Sequence, residues 1–128
     1  VASYVFTAVR DGVRLYPDKV TVRVALDNGE VVGLQAADHL FAPAELAAVA
    51  KRQVKIPRHE AMQGLNGGFR LEDYHLGVIE NEERKLALCH VFTGRVNGST
   101  YRIFMNVETG MEESVEKLPD NEKGTAGV

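Results

Sequence analysis

The sequence predicts an α+β fold in which antiparallel sheets carry short helices packed on one side. Several runs of the chain alternate apolar with polar residues, which is the period of a strand that buries one face. Only two stretches, each opened by a proline, have the composition of a helix. Runs of strands with few helices between them are typical of a sheet that lays its apolar face on separate helices.

The clearest element is a β-hairpin predicted over residues 87–110. Its arms are rich in β-branched and aromatic residues, and the bend between them is Asn97-Gly98, two residues that tolerate the positive φ of a tight turn. Phe104 breaks the alternation of the return arm, because it places a large aromatic side chain among polar ones. The other apolar side chains of this arm recur at every second position and share one face: Tyr101, Ile103, Met105 and Val107.

The same pattern occurs a second time near the start of the chain. Residues 5–12 (VFTAVRDG) align without a gap with residues 91–98 (VFTGRVNG), and after an insertion of five residues in the first copy, residues 25–29 correspond to 106–110. We interpret this as an internal repeat of two modules with equivalent strands, paired antiparallel throughout. A helix and a strand precede the second copy, so the first module is expected to lack its opening helix.

The first copy contains the cleanest alternation in the sequence. We expect its cover to come from the helix over residues 43–52, from the second module or from a neighbouring chain. At roughly 1.5–3 kcal/mol for each buried aliphatic side chain, leaving four of them in water forfeits about 6–12 kcal/mol. We therefore predict that all four apolar members of this alternation are buried: Val20, Val22, Val24 and Leu26.

Shorter strands surround this alternation. A strand over residues 3–10 is predicted to end at the turn Asp11-Gly12, and a continuation over residues 13–16 to stop at Pro17. After a turn at Asp27-Asn28-Gly29-Glu30, the chain is predicted to return as a strand over residues 31–36.

Prolines open both predicted helices. Pro43 begins the stronger one, residues 43–52, with an acidic residue in its first turn and basic residues in its last, in agreement with the helix dipole. Pro57 begins a shorter helix that reaches about Leu65, and Ile56 precedes it as a hydrophobic staple.

Residues 69–71, 74–80 and 111–118 are predicted to be extended and to complete the second copy with the central hairpin. The predicted organisation is a partial first module at residues 1–42, a connecting helix and linker at 43–55, a complete second module at 56–118, and a disordered tail at 119–128 that lacks apolar content.

Composition excludes several classes of protein. The 15 basic and 18 acidic residues give a net charge of −3, and no basic patch suggests nucleic acid. The apolar runs are shorter than the roughly 18 residues of a membrane span, so we expect the fragment itself not to span a membrane. A single cysteine cannot form an internal disulfide.

Possible catalytic and metal motifs are each incomplete. His59-Glu60 resembles the start of a zinc-protease helix, but Gln63 stands where the second histidine belongs. Cys89 and His90 are neighbours on a strand and point to opposite faces, so a small buried cysteine is the better interpretation.

The acidic residues are interpreted as solubilising charges, because a glycosidase needs a carboxyl group in an enclosed cleft and these lie in polar, turn-like sequence: Glu72, Asp73, Glu80, Glu82 and Glu83. We predict no catalytic residue, no metal and no cofactor.

Residues 56–61 (IPRHEA), the strand 101–107 (YRIFMNV) and the turn 108–110 (ETG) resemble the PepSY module. Together with residues 12–18 (GVRLYPD) and 24–33 (VALDNGEVVG), they are similar to the C-terminal part of the YpeB family of spore germination proteins. The resemblance implies a module outside the cytoplasmic membrane, at the spore inner membrane or cortex, within a protein that is membrane-anchored at its N-terminus. It also implies an accessory role beside the cortex-lytic enzyme SleB, and it brings no catalytic residues.

Three hypotheses follow. The first is a non-enzymatic module that binds a SleB-like cortex-lytic hydrolase. The second is a peptidase inhibitor or propeptide-like chaperone, since PepSY modules occur in peptidase propeptides. The third is an enzyme whose site is assembled only in the tertiary fold, which a pocket joining His75, His90 and an acid would favour. The candidate partner-contact residues are outward side chains of the predicted strands: Phe104, Arg102, Arg95, Tyr74 and His75.

Overall fold

In a computed structural model, which describes residues 2–36 and 41–119, the chain forms one seven-stranded mixed sheet with two short helices. The strand order is β1-β2-β4-β5-β6-β7, and β3 pairs with β2 outside this path. The predicted α+β class is confirmed in its coarse form, as a mostly β chain. The elements in chain order are β1 (Ala2–Arg10), β2 (Val13–Val24), β3 (Val31–Ala36), α1 (Pro43–Ala50), α2 (Arg58–Met62), β4 (Arg70–Glu80), β5 (Leu86–Val96), β6 (Ser99–Asn106) and β7 (Glu112–Leu118).

The hairpins β1–β2 and β5–β6 have matching turns. Asp11 and Gly12 have φ values of 52° and 79°, and Asn97 and Gly98 have values of 50° and 81°. Positive φ at both central residues is the requirement of the tight turn that suits the twist of a hairpin. The turns that follow also match, because the N–H groups of Gly29 and Gly110 each donate to the carbonyl four residues earlier, at 3.0 and 2.8 Å.

The two hairpins differ at one irregularity in β2. Thr7 pairs with Lys19 but Ala8 pairs with Leu15, so three residues of β2 lie between consecutive pairs. The β5–β6 ladder has no such interruption. Pro17 was expected to stop the strand, but it lies inside this irregularity, where no ladder hydrogen bond is needed, and β2 continues through it.

The expectation of antiparallel pairing throughout is wrong at one place. Val13–Leu15 of β2 pair in parallel with Leu76–Val78 of β4, which joins β1–β3 and β4–β7 into a single sheet. Parallel neighbours need a long connection, and the segment that carries α1 and α2 supplies it. The remaining ladders are antiparallel.

Both helices lie on the same face of the sheet, which we call the helix-covered face. Leu46 and Val49 of α1 pack on Val78 and Leu88 at the centre of the main core cluster. Ala61 of α2 packs in a neighbouring cluster whose strand members include Phe92 and Met105. The helices are shorter than predicted. The two predicted extended segments 69–71 and 74–80 form the single strand β4, with an irregularity between Leu71 and Asp73.

The helices do not reach the far half of β2. Val20, Val22 and Val24 are half-buried, and Leu26 is 76% exposed, so the prediction that all four are buried is wrong. The physical reason is the position of α1, which packs in one cluster with Val13 and Leu15 at the start of the strand.

Within residues 2–36 and 41–119, no helix has the length and apolar content needed to cross a membrane. Of the predicted tail, residues 120–128 lie outside the described part of the chain.

Gly94 lets two strands meet closely, and its replacement tests the register of β4 against β5. A Cβ at this position would overlap the carbonyl oxygen of Arg70 and lie 2.7 Å from Phe69 Cζ. We expect Gly94→Ala to lower the free energy of unfolding by about 2–3 kcal/mol, measured by urea denaturation. Gly67→Ala is the control, since nothing lies within 4 Å of an added Cβ there. Equal stability of the two variants would contradict this register.

Candidate functional site

The face of the sheet opposite the helices holds most of the residues that the sequence proposed for partner contact. We call it the helix-free face. Alternation along β4, β5 and β6, together with their registers, places His75, Arg95, Arg102 and Phe104 on it. Tyr16 joins them from the irregularity in β2, where its ring lies 5.9 Å from the ring of His75.

An apolar floor lies beneath the polar part of this face. Phe104 is 1% exposed and packs with other buried side chains, namely Ile79, Ala87, Cys89 and Val91. The ring of Tyr16 meets Phe104 edge to face at a centroid distance of 5.4 Å. Gly77 makes room for Tyr16, since a Cβ at residue 77 would lie 2.7 Å from its ring. The proposal that Phe104 is an exposed anchor is therefore wrong.

A chain of hydrogen bonds runs across the floor from Tyr16 to Asp73. The Tyr16 hydroxyl lies 2.5 Å from His75 Nε2, and His75 Nδ1 lies 3.3 Å from the Asp73 carboxylate. Burial raises the pKa of Tyr16, against the opposing positive charges of Arg102 and Arg14. A protonated tyrosine donates to Nε2, so the neutral imidazole carries its proton on Nδ1 and donates it to Asp73.

His75 is held neutral by its surroundings. Burial lowers the pKa of His75 to about 4, and the nearby charge of Arg14 acts in the same direction, whereas the hydrogen bond with Asp73 opposes them. Near neutral pH, Tyr16 is protonated and His75 is uncharged. The hydrogen bonds from Tyr16 to Asp73 therefore position the Tyr16 ring, and they supply neither a nucleophile nor an exposed base.

Two arginines border the floor, each beside an acidic residue. Arg102 lies 3.3 Å from Glu116, and its guanidinium carbon is 5.6 Å from the centroid of the Tyr16 ring. Arg95 Nε lies 3.4 Å from Glu72, without the geometry of a hydrogen bond. The Nε atoms of both arginines are buried and make no hydrogen bond within the described part of the chain. Both guanidinium groups keep donors available for a carboxylate or carbonyl.

Tyr74 lies apart from these residues, on the helix-covered face. Its hydroxyl is 2.6 Å from His90 Nδ1, and His90 Nε2 donates to the carbonyl of Ile56 at 2.6 Å. Arg58 lies over the Tyr74 ring at 4.3 Å. Strand β4 lies between β2 and β5, but its ladder with β2 covers Leu76–Val78 only. Within the described residues, Tyr74 and His75 therefore have ladder partners on β5 alone.

The structure does not bring His75 and His90 together with an acid, which is the pocket that the enzyme hypothesis required. His75 pairs across the ladder with Val91, and His90 pairs with Leu76, so the two imidazoles lie on opposite faces. Cys89 is fully buried, and burial raises its pKa to about 12. Within residues 2–36 and 41–119, no three His, Cys, Asp or Glu side chains are placed to hold a metal ion.

Sequence reasoning missed Tyr16 as part of this site. The available signal was the five-residue insertion in the first copy, because the irregularity in β2 that contains Tyr16 has no counterpart in the β5–β6 ladder.

Comparison with known proteins gives consistent matches. The family described as YpeB sporulation, PepSY1 and PepSY2 domains, matches residues 1–47. Sporulation protein YpeB of Halalkalibacterium halodurans is 34% identical over 122 residues, which is 95% of this chain and 27% of that protein. YpeB of Bacillus subtilis is 34% identical over 125 residues, again 95% of this chain and 26% of that protein.

The solved Bacillus megaterium YpeB C-terminal domain has a TM-score of 0.76 and 32% identity, covering 92% of this chain and 51% of that one. The chain spans about a quarter of the length of the curated relatives it matches. These matches show that the chain is similar to PepSY-domain proteins. Within that class, the chain resembles the C-terminal domain of the sporulation protein YpeB in both sequence and fold.

Replacing Phe104 tests whether its ring belongs to the core or to a contact surface. We expect Phe104→Ala to lower the free energy of unfolding by about 3–5 kcal/mol, as truncation of a buried aromatic does, and to lower the melting temperature clearly. Val115→Ala is the control on the adjacent strand β7, where the side chain is 47% exposed. A melting temperature unchanged by Phe104→Ala would show that the ring is not core.

The lowered pKa of His75 predicts a pH dependence. Between pH 6.5, the ordinary pKa, and pH 4, the unfolded chain binds a proton at His75 and the folded chain does not, so stability is lost as the pH falls through this window. We expect this loss to reach up to about 3 kcal/mol, and to be absent from His75→Gln, in chemical denaturation at a series of pH values. His59→Gln, at an exposed position on α2, should retain it. Parallel curves for the wild type and His75→Gln would contradict the assignment.

Proposed function

We propose that this chain is a non-enzymatic accessory module of a spore germination protein, which binds and stabilises or regulates a SleB-like cortex-lytic hydrolase. Similarity to proteins named sporulation protein YpeB supports the sporulation role. The proposed location is the extracytoplasmic face of the spore inner membrane or the cortex, within a protein that is membrane-anchored elsewhere. A resemblance to PepSY proteins is the basis for both the partner and the location.

The observation that carries the binding role is the helix-free face. Arg95 and Arg102 are presented by the adjacent strands β5 and β6 over a tightly packed floor, and the ring of Tyr16 approaches Arg102 from β2. Arginine and tyrosine are enriched among the residues that dominate protein interfaces, and a rigid support lowers the entropy that binding must overcome. The partially exposed ion pairs to Glu72 and Glu116 orient the two guanidinium groups before a partner arrives.

We also propose that the chain consists of two PepSY-like modules that share one sheet. The matched turns at Asp11-Gly12 and Asn97-Gly98 support this division, as do the corresponding strand orders β1-β2-β3 and β5-β6-β7. The family match over residues 1–47 ends inside α1, which is where the proposed first module gives way to the connecting helix.

The two arginines supply the test. We expect the double replacement Arg95→Ala and Arg102→Ala to weaken binding to a purified SleB-like hydrolase about tenfold or more in isothermal titration calorimetry, as loss of central arginine contacts does. Lys117→Ala is the control, because Lys117 is exposed on β7 and its ladder partner Tyr101 places it on the opposite face. Melting temperatures of all variants report whether the fold is kept.

Two results would contradict the proposal. Binding that is lost in Lys117→Ala but kept in the double variant would move the interface to the other face. Absence of binding by the wild type, combined with stoichiometric inhibition of a bacterial peptidase, would favour the inhibitor or propeptide-like chaperone function instead.

A further inference from the structure

Among residues 2–36 and 41–119, no helix covers the part of the helix-covered face that is formed by β1, the far half of β2 and β3. We call this part the open face. Phe6 is 50% exposed, Tyr4 40% and Leu34 73%. The ladders place these three side chains on one surface with Val20 and Val22, because Phe6 pairs with Val20, and Tyr4 and Leu34 both pair with Val22. An exposed apolar patch that includes aromatic residues is typical of an interaction site.

The corresponding positions in the second hairpin are buried. Counted from the matched turn along β1 and β5, Phe6 corresponds to Phe92 and Tyr4 to His90. Phe92 is fully buried and His90 is 2% exposed. The same strand positions therefore have a cover in one half of the sheet and lack one in the other.

The cover of the second hairpin is the short segment that leads into α2. Ile56 and Ala61 pack in one cluster with Phe92. The N–H groups of Lys55 and Ile56 both donate to the carbonyl of Val107, at 2.9 and 2.7 Å, and His90 donates to the carbonyl of Ile56. This cover combines an apolar contact with backbone hydrogen bonds at the start of the helix.

The open face offers similar chemistry. Phe6 and Val22 supply the apolar surface, and the hydroxyl of Tyr4, in the place of His90, is a donor for a backbone carbonyl. The open face is also continuous with the helix-covered face, since β2 carries Val13 and Leu15 into the cluster beneath α1. A second short helix would extend a layer that already exists.

We propose that the open face is the docking site of a short amphipathic helix with the chemistry of residues 55–62, supplied by the part of a YpeB-type C-terminal domain that this chain does not span. The Bacillus megaterium domain is about twice as long as the region matched here, since this chain covers 51% of it. An apolar residue before the helix, and small or apolar residues on its inner side, define the occupant. This inference is independent of the proposed hydrolase-binding role.

The test supplies such a helix to the whole chain. A copy of residues 52–66 is attached to the N-terminus through a Gly/Ser linker of about 12 residues, which spans roughly 19 Å on average. We expect hydrogen exchange of the amides in β1 to β3 to slow about tenfold or more, because the covered strands open less often. The matched reference carries the same extension with Ile56→Ser and Ala61→Glu in the copied segment only. Amides of β5 and β6 serve as the internal measure of intact folding.

Two substitutions in the sheet locate the effect. Phe6→Ser should abolish the added protection, whereas Val5→Ser, at a 43% exposed position on the other face of β1, should preserve it. Equal exchange in the active and reference extensions would overturn the proposal. Protection that appears without the copied helix and disappears on dilution would overturn it in favour of a second copy of the chain.

Discussion

The rest of the structure depends on a three-residue parallel ladder, where Val13–Leu15 lie beside Leu76–Val78. It is the described pairing that joins β1–β3 to β4–β7 in one sheet. Each face of this joint is covered differently. Leu46 and Val49 of α1 pack over one face, and the ring of Tyr16 lies over Gly77 on the other. A ladder this short has few hydrogen bonds, so packing on both faces must supply much of its stability.

The two faces of the sheet differ in what covers them, and this difference determines their chemistry. Helices close one face of β4 to β6, where the half-buried Tyr74 is hydrogen-bonded to the buried His90. The other face is closed by Tyr16 and by its own tightly packed side chains, with arginines at the border. His75 belongs to this border and stays neutral because solvation of its charged form has been removed. This arrangement is the basis for the protein-binding role proposed above.

Local signals in the sequence predicted the turns and the positions of most strands, and the two prolines predicted where the helices start. Asn97-Gly98 needs positive φ at both residues, and few other pairs of residues satisfy that requirement. Long-range pairing was harder, because nothing in the alternation of β2 distinguishes a parallel neighbour from an antiparallel one. The parallel joint is set by the length of the crossover and by the packing of α1, which are properties of the tertiary fold.

The error over Phe104 has a specific physical cause. Alternation was used to assign it to a solvated face, but residues 87–92 of the adjacent strand are all buried, so both faces of the sheet are closed at this point. A strand that is buried on both sides loses its alternation, and the run from Ala87 to Phe92, apolar except for His90, was the available signal. Tyr16 was missed because the irregularity after Leu15 separates it from the regular ladder, and the sequence did not show that its ring would lie over Gly77 and beside His75.

The burial of Cys89 makes it an internal reporter of the opening of the sheet. Its thiol lies in the floor beneath Tyr16 and Phe104, and its raised pKa leaves almost no thiolate near neutral pH. A thiol reagent can reach it only in molecules whose sheet has separated at the centre. The rate at which this one sulfur is modified therefore follows the population of opened molecules, and it does so without any label being added to the chain.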